Sequence, residues 1–209
     1  MNVEKLKAEP RVAPTEAEYL QRALQGEQDA FTVLVEAYQT PVYNLCYRML
    51  GSPQEAEDAA QETFWRAYRN LSRYDTARSF ATWLLSIAAH YCIDQQRRRR
   101  LPTIELDELL EMENIAPDPS PTPEKQALKA EELEVVQQQL NELNPNDRAV
   151  LVMRYFHEFS EEEICHALAI SKSAVKIRLH RARQHMADLF LAQKEKIISE
   201  RRQHEAQTI

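Results

Sequence analysis

Glycine is almost absent from this chain: Gly26 and Gly51 are its only two glycines in 209 residues. A Gly-rich phosphate loop, a Rossmann turn and a sheet built on tight hairpins all need more, so these classes are excluded. Cysteine is scarce too. Cys46, Cys92 and Cys165 form an odd, scattered set without CxxC spacing, which points to a reduced cytoplasm rather than a disulfide framework. No apolar run approaches the roughly 20 residues of a membrane helix. The N-terminal residues lack the apolar core of a signal peptide. What recurs instead is helical periodicity, in a chain of ordinary 44% hydrophobic content, so the expected class is all-α.

Positive charge is also in the minority, with a net charge of −7. The acidity is local, however. Between Leu101 and Glu134 ten acids (Glu105, Asp107, Glu108, Glu111, Glu113, Asp118, Glu124, Glu131, Glu132 and Glu134) face only Lys125 and Lys129. That block carries −8, leaving about +1 for the rest, and Arg97 to Arg100 abut it. Such a layout suggests a basic nucleic-acid surface beside an acidic connector.

The pattern predicts a loose arm over 1–14 and a helical domain over 15–100, with helices near 15–25, 28–50, 53–70 and 79–99. Pro53 falls in the first turn of the third helix, where proline is tolerated. A connector over 101–123 ends in APDPSPTP, whose alternating prolines favour an extended spacer. A second helical domain is expected over 124–192, followed by a charged tail, 193–209, whose first half can continue the last helix. The architecture is two small helical domains, the second built on a helix-turn-helix, joined by an acidic, Pro-rich linker.

The most informative segment is FSEEEICHALAISKSAVKIRLHRARQHM, from Phe159 onward. Ser160 and Glu163 form a capping box, and Ile164 with Leu168 gives that short helix one apolar face. Ala169-Ile170 interrupts the pattern, and Ser171 can cap a second helix. There Val175, Leu179, Ala182 and Met186 make one narrow core stripe. The remaining surface holds Lys172, Lys176, Arg178, Arg181 and Arg183, with no acid between Ser171 and Ala187. A solvated face normally mixes both signs, so a purely cationic one suggests phosphate.

In the third helix Ala56, Ala60, Thr63, Phe64, Ala67 and Leu71 form the expected buried side. Asp58, Gln61, Glu62, Trp65 and Arg69 occupy the other. A Trp among polar groups reads as an interface anchor, unless its own domain covers it. In the fourth helix Phe80, Trp83, Leu84, Ile87 and Tyr91 form the expected core stripe. The polar loop before it carries Arg73, Tyr74 and Arg78, residues that can hold unstacked bases. The arginine run at its end suits phosphates, although cations also favour any helix C-terminus.

These segments, AEDAAQETFWRAY, then SFATWLLSIAAHYCIDQQRRR, then the helix-turn-helix, resemble the bacterial sigma-70 family, extracytoplasmic-function group. The resemblance covers about 15–100 and 124–188, with motifs in order across both domains. It implies a non-catalytic promoter-specificity subunit of RNA polymerase. Asp58, Gln61, Glu62 and Trp65 would then meet the clamp of the large catalytic subunit of core polymerase. Tyr74, Ser79, Trp83, His90 and Asp94 would take the −10 element, with Arg97 and Arg98 on its backbone. Lys172, Ser173, Lys176, Ile177 and His180 would meet or border −35 bases, while Arg178, Arg181 and Arg183 hold phosphates. The acidic linker would thread the polymerase cleft, and an anti-sigma partner is implied as well. Four positions depart from the family: Ser173-Ala174 replaces its usual Gly-Thr, Ile177 a small polar residue, and His90 a frequent Asn.

Other readings fit less well. His157-Glu158 begins a zinc-protease HExxH, but Glu161 stands where the second His belongs. His157, Cys165 and His166 have poor metal-ligand spacing, and Glu55, Glu57, Asp58 and Glu62 are spread around a helix, so neither metal nor cofactor is expected. The serious alternative is a stand-alone dimeric DNA-binding regulator, against which stand the Trp65 face, the acidic tether and the absence of a sustained heptad seam. A helical scaffold would leave the cationic helix unexplained.

Overall fold

The computed structural model describes residues 15–100 and 123–207, with side chains over 15–99 and 133–195. The expected arm and nearly all of the connector lie outside these residues. Every regular element described is helical. In chain order they are α1 (Glu16–Leu24), α2 (Gln28–Leu50), α3 (Pro53–Asn70), a single 3-10 turn (Leu71–Arg73) and α4 (Phe80–Arg100). The second domain holds α5 (Pro123–Glu142), α6 (Pro145–Phe156), α7 (Glu161–Leu168) and α8 (Lys172–Gln207).

Local signals set these boundaries. Thr15 and Glu18 form a capping box at α1, satisfying N–H groups that the first turn leaves free. Gly51 ends α2 in the left-handed region at φ 82°, and Ser52 with Pro53 at once restarts the chain as α3. The same punctuation recurs in the second domain, where Asn144 caps α6 and Pro145 fills its first turn. α8 runs to Gln207, through the charged tail whose first half was expected to be able to continue it.

α1, α2, α3 and α4 enclose a core of Leu34, Val42, Leu45, Met49, Ala56, Thr63, Leu84 and Ala88. Thr63 is tolerated there because its hydroxyl donates to the Ala59 carbonyl at 2.7 Å. The second core gathers Leu140, Leu143, Val150, Met153, Ile164, Val175 and Leu179. Cys46 and Cys92 are fully buried, and their mutual hydrogen bond together with burial pushes the Cys92 thiol up.

α4 departs from a one-sided helix. Phe80, Leu84, Ala88 and Cys92 form a fully buried stripe toward α2 and α3. At about 3.6 residues per turn, Thr82, Leu85, Ala89, Ile93 and Gln96 lie on the opposite face. They are buried as well, and α6 and α7 of the second domain pack on α4. The single stripe expected from sequence is therefore two. Ile87, Trp83 and Tyr91 sit at the edge of the first, half-buried rather than central.

Candidate nucleic-acid interface

Among the described residues, one flank of α4 between its two buried faces is lined by exposed side chains. Ser79, just before the helix, and His90, Asp94, Arg97 and Arg98 are exposed along it, and the half-buried Trp83 borders it. Helical spacing gathers these five and Trp83 into one strip. His90 Nδ1 lies 2.8 Å from the Ser86 carbonyl, which fixes that ring against its own helix. Arg99, on the other flank, pairs with Glu55 of α3.

Tyr74 stands apart from its predicted companions. Its side chain is only 7% exposed, its ring tilted against Trp83 at 5.1 Å and edge-on to Phe80 at 5.6 Å. Its hydroxyl donates to the Arg78 carbonyl, and burial pushes its pKa up. Tyr74 thus braces the loop before α4 from inside, while Arg73 and Arg78 stay on the surface. A polar loop sequence gave no sign that its one aromatic would turn inward.

The helix-turn-helix forms as its sequence predicts. Ser160 and Glu163 make the reciprocal capping box, Ala169 turns the chain at φ 51°, and the Ser171 hydroxyl accepts from the Ala174 amide at 3.2 Å. Val175, Leu179 and Ala182 are buried, so the rest of the first turns of α8 faces outward. Ile177 is 58% exposed beside Lys176 and His180, an uncovered apolar residue within a polar surface.

Not every cation on α8 is available. Lys172 donates to Glu162 of α7, and this contact pulls the Glu162 carboxyl below its usual range while raising Lys172. Arg181 is held by Asp147 of α6 at 2.9 Å, and the Arg183 Nε donates to the Leu179 carbonyl at 3.2 Å. Ser173 shares a 2.9 Å hydrogen bond with Ser171. Among the described residues, Lys176 and Arg178 enter no ion pair. The pairs to Glu162 and Asp147 join different helices, which periodicity within one helix cannot reveal.

A third surface lies on α3. Trp65 is 53% exposed, with the Arg69 guanidinium over its ring at 4.5 Å. Asp58 and Gln61 are exposed beside it, and Glu62 is held by Arg66 at 2.6 Å. Gln61 also borders a groove of about 450 Å³ between α2 and α3, together with Tyr43 and Phe64. No helix among the described residues is long and apolar enough to cross a membrane.

Comparison with known proteins gives these surfaces a context. The sigma-70 region 2 pattern matches residues 34–101, and sigma-70, region 4 matches 133–186. The chain is 39% identical over 171 residues to the ECF RNA polymerase sigma factor SigW of Bacillus subtilis, covering 79% of this chain and 91% of that protein. It is 33% identical to the RNA polymerase sigma-H factor of Pseudomonas aeruginosa, covering 79% and 88%. Among solved structures it resembles CnrH in complex with the cytosolic domain of CnrY, at 25% identity and a TM-score of 0.63, over 83% of this chain and 96% of that one. The sigma factor RpoE of Bartonella quintana, solved with the anti-sigma factor NepR, shares the fold at a TM-score of 0.58 and 18% identity, over 77% and 96%. The two matched regions cover more than half of the chain, in order, and the chain belongs to the extracytoplasmic-function group of the sigma-70 family of RNA polymerase sigma factors.

Proposed function

We propose that this sigma factor divides its work among the three surfaces. Trp65, with Asp58, Gln61 and Glu62, docks on the clamp of core RNA polymerase. The strip of Ser79, Trp83, His90, Asp94, Arg97 and Arg98 receives the −10 element, and the outward face of α8 reads the −35 element. The observation that carries this reading is the α4 flank, where polar and aromatic groups end in arginines between two buried faces. Its rigidity suits base capture. Unstacking a base costs a few kcal/mol, which preformed contacts must return. Tyr74 then acts as a positioning residue that holds the loop.

On α8, Lys176 offers a donor for a guanine edge and Ile177 an apolar contact for a thymine methyl. Ser173 and His180 flank them. Arg178 is the readiest phosphate ligand, and Lys172, Arg181 and Arg183 would have to leave or share their present partners. The site of action is the cytoplasm. An anti-sigma protein, of the kind solved with RpoE, is proposed as a partner as well.

Reconstituted transcription tests the reading: the purified protein with bacterial core polymerase on a promoter library from its host. Specific initiation that depends on the protein is expected. Trp65→Ala should leave folding intact and weaken polymerase binding by about 2 kcal/mol, as an exposed aromatic anchor would. Unchanged affinity would remove Trp65 from the docking surface.

A further inference from the structure

Arg66 follows Trp65 on α3, about a quarter turn round the helix, and none of the three surfaces is assigned to it. It touches two of them. Its Nε donates to Glu62, on the face proposed to dock on polymerase, at 2.6 Å. Its guanidinium lies over the ring of Tyr91, on α4, at 4.8 Å. That ring is itself held, because the Tyr91 hydroxyl accepts from Gln95 Nε2 at 2.7 Å. Arg66 is thus a fixed bridge between α3 and α4, which pack on one another.

Tyr91 borders the −10 strip. Asp94 and Arg98 of that strip follow it at i+3 and i+7, on the same side of α4. Arg66 therefore brings a positive charge from α3 to the edge of the strip. Its side chain is 43% exposed. Among the described residues its Nη groups donate to no acceptor, so the group uses one N–H of five. A cation over a tyrosine ring also braces one helix against another. Bracing, however, needs only the flat face of the guanidinium and leaves its Nη fork idle. Two parallel N–H groups without an acceptor are the geometry that takes a phosphate. Arg98 lies about 10 Å beyond Tyr91 along α4, so the two arginines stand in a row, as contacts to one strand would.

We infer that Arg66 is a contact for a backbone phosphate of the −10 strand, with Glu62 competing for the same guanidinium. This rests on the −10 reading above. α3 then serves polymerase with its outward face and the DNA strand with its flank. Glu62 is a weak rival, because it is itself 32% exposed and an exposed pair at this spacing holds loosely. A phosphate carries more charge density and offers two oxygens to the fork, so it can draw Arg66 over without moving the backbone. Contact with a phosphate carries no sequence information, and Arg66 sets how tightly the strand is held rather than which strand is chosen.

The test uses the full chain with saturating core polymerase and two fluorescent single-stranded oligonucleotides, one carrying the non-template −10 sequence of a promoter and one scrambled, each titrated with salt. Arg66→Ala should weaken binding about tenfold, as loss of a charged hydrogen bond does. It should also lower the slope of log affinity against log salt by about 0.7, the share of one single-strand phosphate. Arg66→Lys keeps the charge and should keep the wild-type slope, which separates the contact from a folding defect. Glu62→Gln should tighten binding about threefold by freeing the arginine, and Arg66→Ala added to it should abolish that gain. Lost affinity with an unchanged slope in Arg66→Ala would overturn the phosphate contact and leave Arg66 as a brace on Tyr91. A gain in Glu62→Gln that survives Arg66→Ala would overturn the competition. Wild type that binds the −10 oligonucleotide no better than the scrambled one would overturn the −10 reading itself, while the slopes still decide the phosphate contact.

Discussion

α4 and α8 are the two helices proposed to meet DNA, and they are built in opposite ways. α4 is buried on two opposite faces and keeps a narrow exposed strip, whereas α8 rests on one stripe and leaves most of its surface open. The strip on α4 is thus fixed by packing on both sides, which suits a site that must hold a base out of its stack. The face of α8 is wide, and salt bridges to Asp147 and Glu162 already hold two of its cations. Packing shapes the first site; the choice of electrostatic partner shapes the second.

The largest expected effect breaks the comparison at its packed end. Leu84 is fully buried in the core stripe of α4, so Leu84→Ala should cost about 3 kcal/mol through lost burial and the cavity left behind. Ile177→Ala, on the open face of α8, should change stability by less than about 0.5 kcal/mol. Urea unfolding of both variants checks this. Equal losses would mean that Ile177 is covered in solution.

The next effect concerns DNA. Lys176 enters no ion pair among the described residues, while Arg181 is already committed to Asp147. Lys176→Ala should therefore weaken −35 binding by about 2 kcal/mol if it reads a base edge, and Arg181→Ala by clearly less. A salt titration separates the roles, since loss of a phosphate contact lowers the slope of log affinity by about 0.9. If Arg181→Ala proves the more damaging, Asp147 must release its arginine when DNA arrives.

The first four helices were legible in the sequence to within about a residue, because caps and breakers mark them: Thr15 with Glu18, Gly51 with Ser52-Pro53, and the expected starts near 28 and 79. The helix-turn-helix was legible for the same reason. The second buried stripe of α4 was not. Ala89 and Ile93 are unremarkable in a helix already credited with one core face, and their burial depends on a partner from beyond the connector. Arg148, which is buried and donates from α6 to the Met49 carbonyl of α2, did offer a signal that went unread, a cation directly preceding the apolar run Ala149 to Met153. The reach of α8 to Gln207 was hidden by its charged composition, which carries no apolar periodicity after Met186.

The smallest effect sharpens the contrast by pH. His157 follows α6 and is largely buried, and its Nε2 has no hydrogen-bond partner among the described residues. Burial first, and then the charge of Arg48 on α2, pulls its pKa down from 6.5 to about 4. The folded imidazole therefore stays neutral where the unfolded one takes a proton. Above pH 6.5 both states are neutral and His157 adds no pH dependence. As pH falls toward 4 the unfolded state binds the extra proton and stability declines. At pH 5.5 the loss from this group should be about 1.4 kcal/mol relative to pH 7.5. His157→Gln should lose that much less than the wild type over the same interval in urea unfolding, which cancels the contribution of other titrating groups. Equal losses in the two proteins would mean that His157 is already open to water.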